Sequence, residues 1–215
     1  MATKLVIFDF DGTLGDTRRK IIITFQRTMR ERGLEVMSKE VCASTIGLTL
    51  EDGFKAMYPT LSDTEAEACV EHYRRVFFED IDSTIPELFD GVEDALARLS
   101  AMDLKLTIAS SRSSPSLTLF LKSMGIADYF SYIVAADTVS KHKPDPEPVL
   151  QTLSVCGYKP EEAVVVGDMP VDVLMARNAG VRSVGVTWGN ATRQELEAAE
   201  ADYILDHISE LFDCL

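Results

Sequence analysis

The sequence is short of positive charge and of long apolar runs, and both shortages narrow what it can do. Lys and Arg number 21 against 35 Asp and Glu in 215 residues, a formal net charge of −14. No cluster of Lys or Arg stands against that field. A surface of this sign repels phosphate backbones, so nucleic acid is not an expected partner. Anionic membrane surfaces are set aside for the same reason. No apolar stretch reaches the length that spans a bilayer. The N-terminal apolar stretch meets Asp9 and Asp11 at once and lacks the cleavage site of a secretory signal. Cysteines are few: Cys42, Cys69, Cys156 and Cys214 are far apart and form no CxxC pair. That gives metal and redox motifs little support and fits free thiols in a reducing cytoplasm, the expected location. Internal repeats and low-complexity segments are also missing. At this length, with 46% apolar residues, a core forms without disulfides or a structural metal.

What is present is a rhythm. Lys4–Phe8 reads KLVIF, a continuous apolar run of the kind buried on both faces of a sheet. Similar runs recur at Leu104–Ala109, Tyr132–Ala135, Ala163–Val166 and Ser183–Val186, with a weaker one at Asp202–Leu205. Helical patterns lie between them, at Val92–Ser100, Leu117–Met124, Pro146–Val155 and Val171–Ala179. The alternation predicts an α/β fold, a Rossmann-like parallel sheet with helices on both faces. From about Gly15 to Phe89 the rhythm stops. Helices are expected at Ile21–Arg32 and Leu50–Met57, and from Ser62 to Phe78, where Glu65 completes a capping-box pattern. The expected organisation is a core of residues 1–14 and 88–215 with a helical cap, residues 15–87, inserted after the first strand.

Four motifs fall at the ends of predicted strands, where ligands bind in an open parallel sheet. Asp9-Phe10-Asp11-Gly12-Thr13 follows the first and turns two carboxylates the same way. Such a pair is costly without a cation or a shared proton. Ser110-Ser111, before Arg112, offers hydroxyls and amides that cradle an oxyanion or simply cap a helix. Lys141-His142-Lys143-Pro144 places positive charge in an acidic chain, with Pro144 restricting Lys143. Gly167-Asp168, with Asp172 four residues on, adds carboxylates suited to a hard divalent metal, or in Asp168 only an N-cap.

Taken together, and in this order, these motifs resemble the haloacid dehalogenase-like hydrolase superfamily. The insertion resembles the C1 cap of phosphoglycolate phosphatase and β-phosphoglucomutase relatives. The resemblance implies a phosphatase of small phosphomonoesters, such as phosphoglycolate or a sugar phosphate, working through an aspartyl-phosphate. It makes Asp9 the nucleophile and Asp11 the general acid and base. It assigns Mg²⁺ to Asp9, the backbone carbonyl of Asp11, and Asp168, with Asp172 supporting from behind. Oxygen ligands of this kind suit Mg²⁺ over Zn²⁺. Gly12, Ser110, Ser111 and Lys143 would bind the phosphoryl group. The implied partner is a small phosphorylated metabolite, and a monomer is favoured.

This chain departs from the family pattern in two places. Arg112 follows a Ser-Ser pair where Thr or Ser and then Asn is common, and Gly15 occupies a hinge position usually held by a bulky apolar residue. The freedom of Gly15 would loosen that hinge, with the second hinge near Pro86. Gly47, in Thr45–Thr49, is the expected point where the cap reads the substrate. Arg18, Arg19 and Lys20 are read as an exposed helix face, and Trp188-Gly189 as packing at the rim of the site. A phosphomutase and a non-catalytic regulatory member of the family remain alternatives. Phosphonatase and dehalogenase readings have less support, for want of a placed cap lysine and because the second Asp would be idle.

Overall fold

The computed structural model describes residues 2–79 and 85–215. Residues 80–84 of the expected insertion lie outside the described residues. The six expected strands form: β1 (Leu5–Phe8), β2 (Lys105–Ala109), β3 (Tyr132–Val134), β4 (Ala163–Gly167), β5 (Arg182–Val186) and β6 (Tyr203–Leu205). They make one sheet in the order β3-β2-β1-β4-β5-β6, every pair parallel. β1 is central because every residue in it is buried and can be covered on both faces. Val6 and Phe8 enter one apolar cluster; Leu5 and Ile7 enter another on the opposite face. The first face is covered by α5 (Val92–Ala101) and α6 (Ser114–Ser123), through Leu96, Leu99, Leu117 and Phe120. The other is covered by α7 (Glu147–Cys156) and α8 (Pro170–Asn178), through Val149, Leu153, Met175 and Ala176. Each such side chain contributes about 1.5–3 kcal/mol on burial. A short α9 (Arg193–Ala198), capped by Thr192 and Glu195, connects β5 to β6.

Register positions the site. Phe8 lies opposite Ile108 on one side and Val166 on the other, so β1, β2 and β4 end level. The chain leaves β1 toward β2 and later crosses to β4, which makes the end of β1 the switch point where such sheets bind ligands.

Between β1 and β2 come α1 (Arg18–Glu31), α2 (Lys39–Ala43), α3 (Leu50–Met57) and α4 (Asp63–Glu79). The Phe25 ring of α1 lies 4.8 Å from that of Tyr73 of α4, tilted against it, and 5.2 Å from that of Phe54 of α3, edge to face. The expected box at α4 is formed: the Ser62 amide donates to Glu65 at 2.9 Å and Ser62 Oγ accepts from the Glu65 amide at 3.3 Å. Phe77 at the end of α4 meets Phe120 of α6, ring centroids 5.5 Å apart, and ties the insertion to the sheet's helices. The connections in and out of the insertion run side by side. The Asp16 amide donates to Glu87 O at 2.9 Å, and the Phe89 amide to Leu14 O at 3.1 Å.

Two expectations change here. Gly15 is not a loose joint with unusual backbone angles: it lacks a positive φ, and a Cβ would sit 3.2 Å from the Phe10 ring and 3.3 Å from Met124. Closeness of packing, not conformational freedom, calls for glycine. Lys20 is buried, its ammonium 5.5 Å from the centre of the Phe77 ring, while Arg18 and Arg19 are exposed.

Candidate active site

Asp9 follows β1 directly, its amide donating to Val166 O of β4 at 2.8 Å. Lys143, from the loop between β3 and α7, lies between two carboxylates. Its Nζ donates to Asp9 Oδ1 at 2.5 Å and to Asp172 Oδ1 at 2.7 Å. Asp172 sits in the first turn of α8, and its second oxygen accepts from the Met169 amide at 3.1 Å. Asp168 follows β4. Its Oδ2 accepts from the backbone and side-chain amides of Asn190 at 2.7 and 2.8 Å. The Thr13 hydroxyl is placed to donate to Asp9 Oδ2 at 3.5 Å or to Asp168 Oδ1 at 3.4 Å, the oxygens that Lys143 and Asn190 do not engage.

Asp9, Asp168 and Asp172 bring one oxygen each within 4.8 Å of one another, all three residues buried. Three buried carboxylates against one ammonium leave excess negative charge. Burial pushes the Asp9 carboxyl well above its ordinary range; Lys143 opposes, while Asp172, Asp168 and Asp11 add to the rise. Burial, then the charge of Asp172, pushes Asp168 up to about 7, against the Asn190 hydrogen bonds. For Lys143, burial favours the neutral amine, but Asp172 and Asp9 outweigh it and hold the ammonium charged. An all-oxygen, over-charged set of this kind fits a hard divalent cation. Asp9 and Asp168 have oxygens to offer it. Asp172 has both committed, so it anchors Lys143.

Space around Asp168 is kept by missing side chains. Gly12 has φ +87°, and a Cβ there would fall 2.2 Å from Asp168 Oδ2. One on Gly189 would fall 2.4 Å from the same oxygen. The Gly12 amide donates to Gly15 O at 3.0 Å. Trp188 does pack at the rim, its indole N–H donating to Thr13 O at 3.0 Å.

Asp11 is apart from the cluster. Arg112 grips it with Nε to Oδ2 at 3.1 Å and Nη2 to Oδ1 at 2.5 Å. Ser110, after β2, is buried, and its Oγ accepts from the Arg112 amide at 3.2 Å. The Ser111 hydroxyl donates to Gly47 O at 2.6 Å, linking the insertion to the sheet end. Gly47 has φ +97° and faces Met169 and Val171, which a Cβ would meet at 3.2 and 3.3 Å. A cavity of about 220 Å³ lies between insertion and sheet, lined among others by Asp9, Asp11, Gly47, Tyr73, Arg112 and His142. Reasoning from sequence missed Asn190 and the Arg112–Asp11 pair. A cation directly after Ser110-Ser111 in an acidic chain was the available signal for the pair, and Trp188-Gly189 for Asn190.

A buried carboxylate centre at the switch point of a parallel sheet, with a helical insertion beside it, marks an α/β protein with a site for a hard cation and a small ligand. Residues 6–186 match the profile of the haloacid dehalogenase-like hydrolases, and the chain belongs to this family. The chain is 37% identical over 209 residues to the probable phosphatase IndB of Dickeya dadantii, covering 96% of this chain and 91% of the relative. It is 35% identical over 206 residues to pyrophosphatase PpaX of Bacillus pumilus, covering 96% and 93%. The structure of a haloacid dehalogenase-like family hydrolase from Streptococcus pneumoniae superposes with a TM-score of 0.86 at 25% identity, covering 99% of this chain and 98% of that one. Phosphatases of this family use a divalent metal. No helix among the described residues is long and apolar enough to cross a membrane.

Metal binding should depend on pH. A cation competes with the proton on Asp168, whose carboxyl stands at about 7. Affinity therefore falls as pH falls through neutrality, by about tenfold between pH 8 and pH 6. Calorimetric titration with Mg²⁺ in buffers of different ionisation enthalpy should show this and the proton released. Affinity flat with pH would place the cation away from Asp168.

Proposed function

We propose that the chain is a Mg²⁺-dependent phosphatase that hydrolyses small phosphomonoesters through a phosphorylated Asp9. One observation carries the reading: of the three clustered carboxylates, Asp9 alone also lines the cavity, and Asp11 lines it too. A carboxylate is a modest nucleophile but needs no base to activate it. The Asp9 carboxylate attacks phosphorus; the bond from phosphorus to the leaving oxygen breaks, and Asp11 supplies that oxygen's proton. Asp11 then takes a proton from water as the water attacks phosphorus, and Asp9 and inorganic phosphate are freed. Lys143 holds Asp9 in place and, with Ser110 and the backbone around Ser111, steadies the phosphoryl oxygens. Asp9, the Asp11 carbonyl and Asp168 would hold Mg²⁺, which when bound would supply charge neutralisation and in-line orientation. Residues 15–87 act as a cap that excludes water and meets the leaving group near Gly47.

The test is phosphate release from a panel of phosphate esters with Mg²⁺. Asp11→Asn should lower turnover of an alkyl phosphate by about 10²–10⁴-fold. An activated aryl phosphate needs no proton on its leaving oxygen, so its single-turnover cleavage should fall far less. Equal losses would remove Asp11 as the acid. Isomerisation of a sugar phosphate without net phosphate release would make the chain a mutase.

A further inference from the structure

Arg112 is a buried cation whose side chain has one ionic partner among the described residues, Asp11, and the proposed mechanism needs Asp11 elsewhere. The Arg112 side chain is 8% exposed and that of Asp11 13%. The fork of Nε and Nη2 occupies both Asp11 oxygens. Nη1 makes no hydrogen bond to a described residue, and the guanidinium forms part of the cavity wall. Aromatic faces fix its plane: the guanidinium carbon is 4.7 Å from the centre of the Phe120 ring and 5.3 Å from that of Phe77. The other basic side chains around the cavity are Arg74, exposed on α4, and His142. Arg112 is thus the buried positive charge at the place where a leaving group would lie.

We propose that Arg112 determines specificity by exchange. It holds Asp11 as a carboxylate until an anionic group on the leaving side of the substrate takes the fork; the freed Asp11 then takes up a proton from solvent and delivers it to the leaving oxygen. The inference rests on the phosphatase reading and adds the class of leaving group: one with a carboxylate or phosphoryl group close to the scissile bond. A planar or tetrahedral oxyanion accepts from the fork as the Asp11 carboxylate does, so the buried cation never loses its counter-charge. A neutral leaving group offers no replacement. Asp11 must then leave the pair unaided, which strands a guanidinium against the Phe77 and Phe120 rings.

The experiment compares phosphoglycolate and pyrophosphate with 2-hydroxyethyl phosphate, a neutral comparator of similar size. The wild-type enzyme should favour an anionic leaving group by about 100-fold in kcat/KM, the scale of a buried charge-assisted pair. Arg112→Met should bring that ratio close to one. Arg112→Lys keeps the charge without the fork and should fall between, which preserves the test if the Met variant does not fold. The two anionic arms separate carboxylate from phosphoryl recognition. A wild-type ratio near one, or a ratio unmoved by both substitutions, overturns the proposal and leaves the phosphatase reading standing. A wild-type enzyme inactive on all three compounds and on every other phosphate ester overturns the phosphatase reading, and this one with it.

Discussion

Asp9→Asn is expected to yield a folded protein without turnover. The amide has nearly the shape of the carboxylate but cannot attack phosphorus, and loss of a nucleophile costs about 10⁴-fold or more. The fold should not suffer. Asp9 is buried beside two other carboxylates, and its carboxyl is held well above the ordinary range. A carboxyl raised on folding binds its proton more tightly in the native state than in the unfolded chain, so it withdraws stability as pH rises above about 4. Asparagine removes that cost. The variant should melt at the same temperature as the wild type near pH 4 and above it at pH 8. Phosphate release and thermal melts on a preparation whose mass excludes deamidation will check both. Activity above a few per cent would take the nucleophile's role from Asp9.

The second large effect is at Lys143. Its ammonium is the shared partner of Asp9 and Asp172, and both its contacts are buried. Lys143→Met leaves those carboxylates facing each other with no cation. Breaking a buried pair from one side costs about 3–5 kcal/mol. Activity should fall by about 10²–10³-fold as the phosphoryl oxygens lose a fixed donor. The sign with pH is set by the carboxylates. Without Lys143 the Asp9 carboxyl rises further, the native state takes up a proton there, and the stability deficit is largest at pH 8 and shrinks toward pH 5. Adding Asp172→Asn should recover part of it. Denaturant melts at the two pH values measure this, and a deficit independent of pH would mean that Lys143 contributes by packing alone.

The sheet was legible because buried parallel strands are written as short apolar runs, and each run became a strand. Short helices were not. α2 has five residues, barely more than one helical turn, and α9 has six, though its Thr192–Glu195 box was there to be seen. Three consecutive cations read as one exposed face, but a helix turns about 100° per residue, so Lys20 points inward where Arg18 and Arg19 do not. In the site, Asp9, Asp168 and Asp172 converge as their places after β1 and β4 required. The partners of the acids were not readable. Arg112 and Asp11 are 101 residues apart and Asn190 and Asp168 are 22 apart, and such pairings are set by the crossing of strands rather than by spacing.

The two chain crossings at Leu14–Asp16 and Glu87–Phe89, hydrogen-bonded side by side, have a consequence for how such an enzyme changes over time. Whatever is spliced between them begins and ends at one spot, so its length puts no strain on the sheet. Doubling a flexible loop costs only about 0.6 kcal/mol in closure entropy. Asp9, Arg112, Lys143, Asp168 and Asp172 all lie outside the spliced segment. On the proposed reading, the carboxylate machinery and the helical segment beside it are therefore separately editable, and preference for parts of the substrate beyond the group that Arg112 would hold can change by rewriting α1 to α4 with the chemistry left in place.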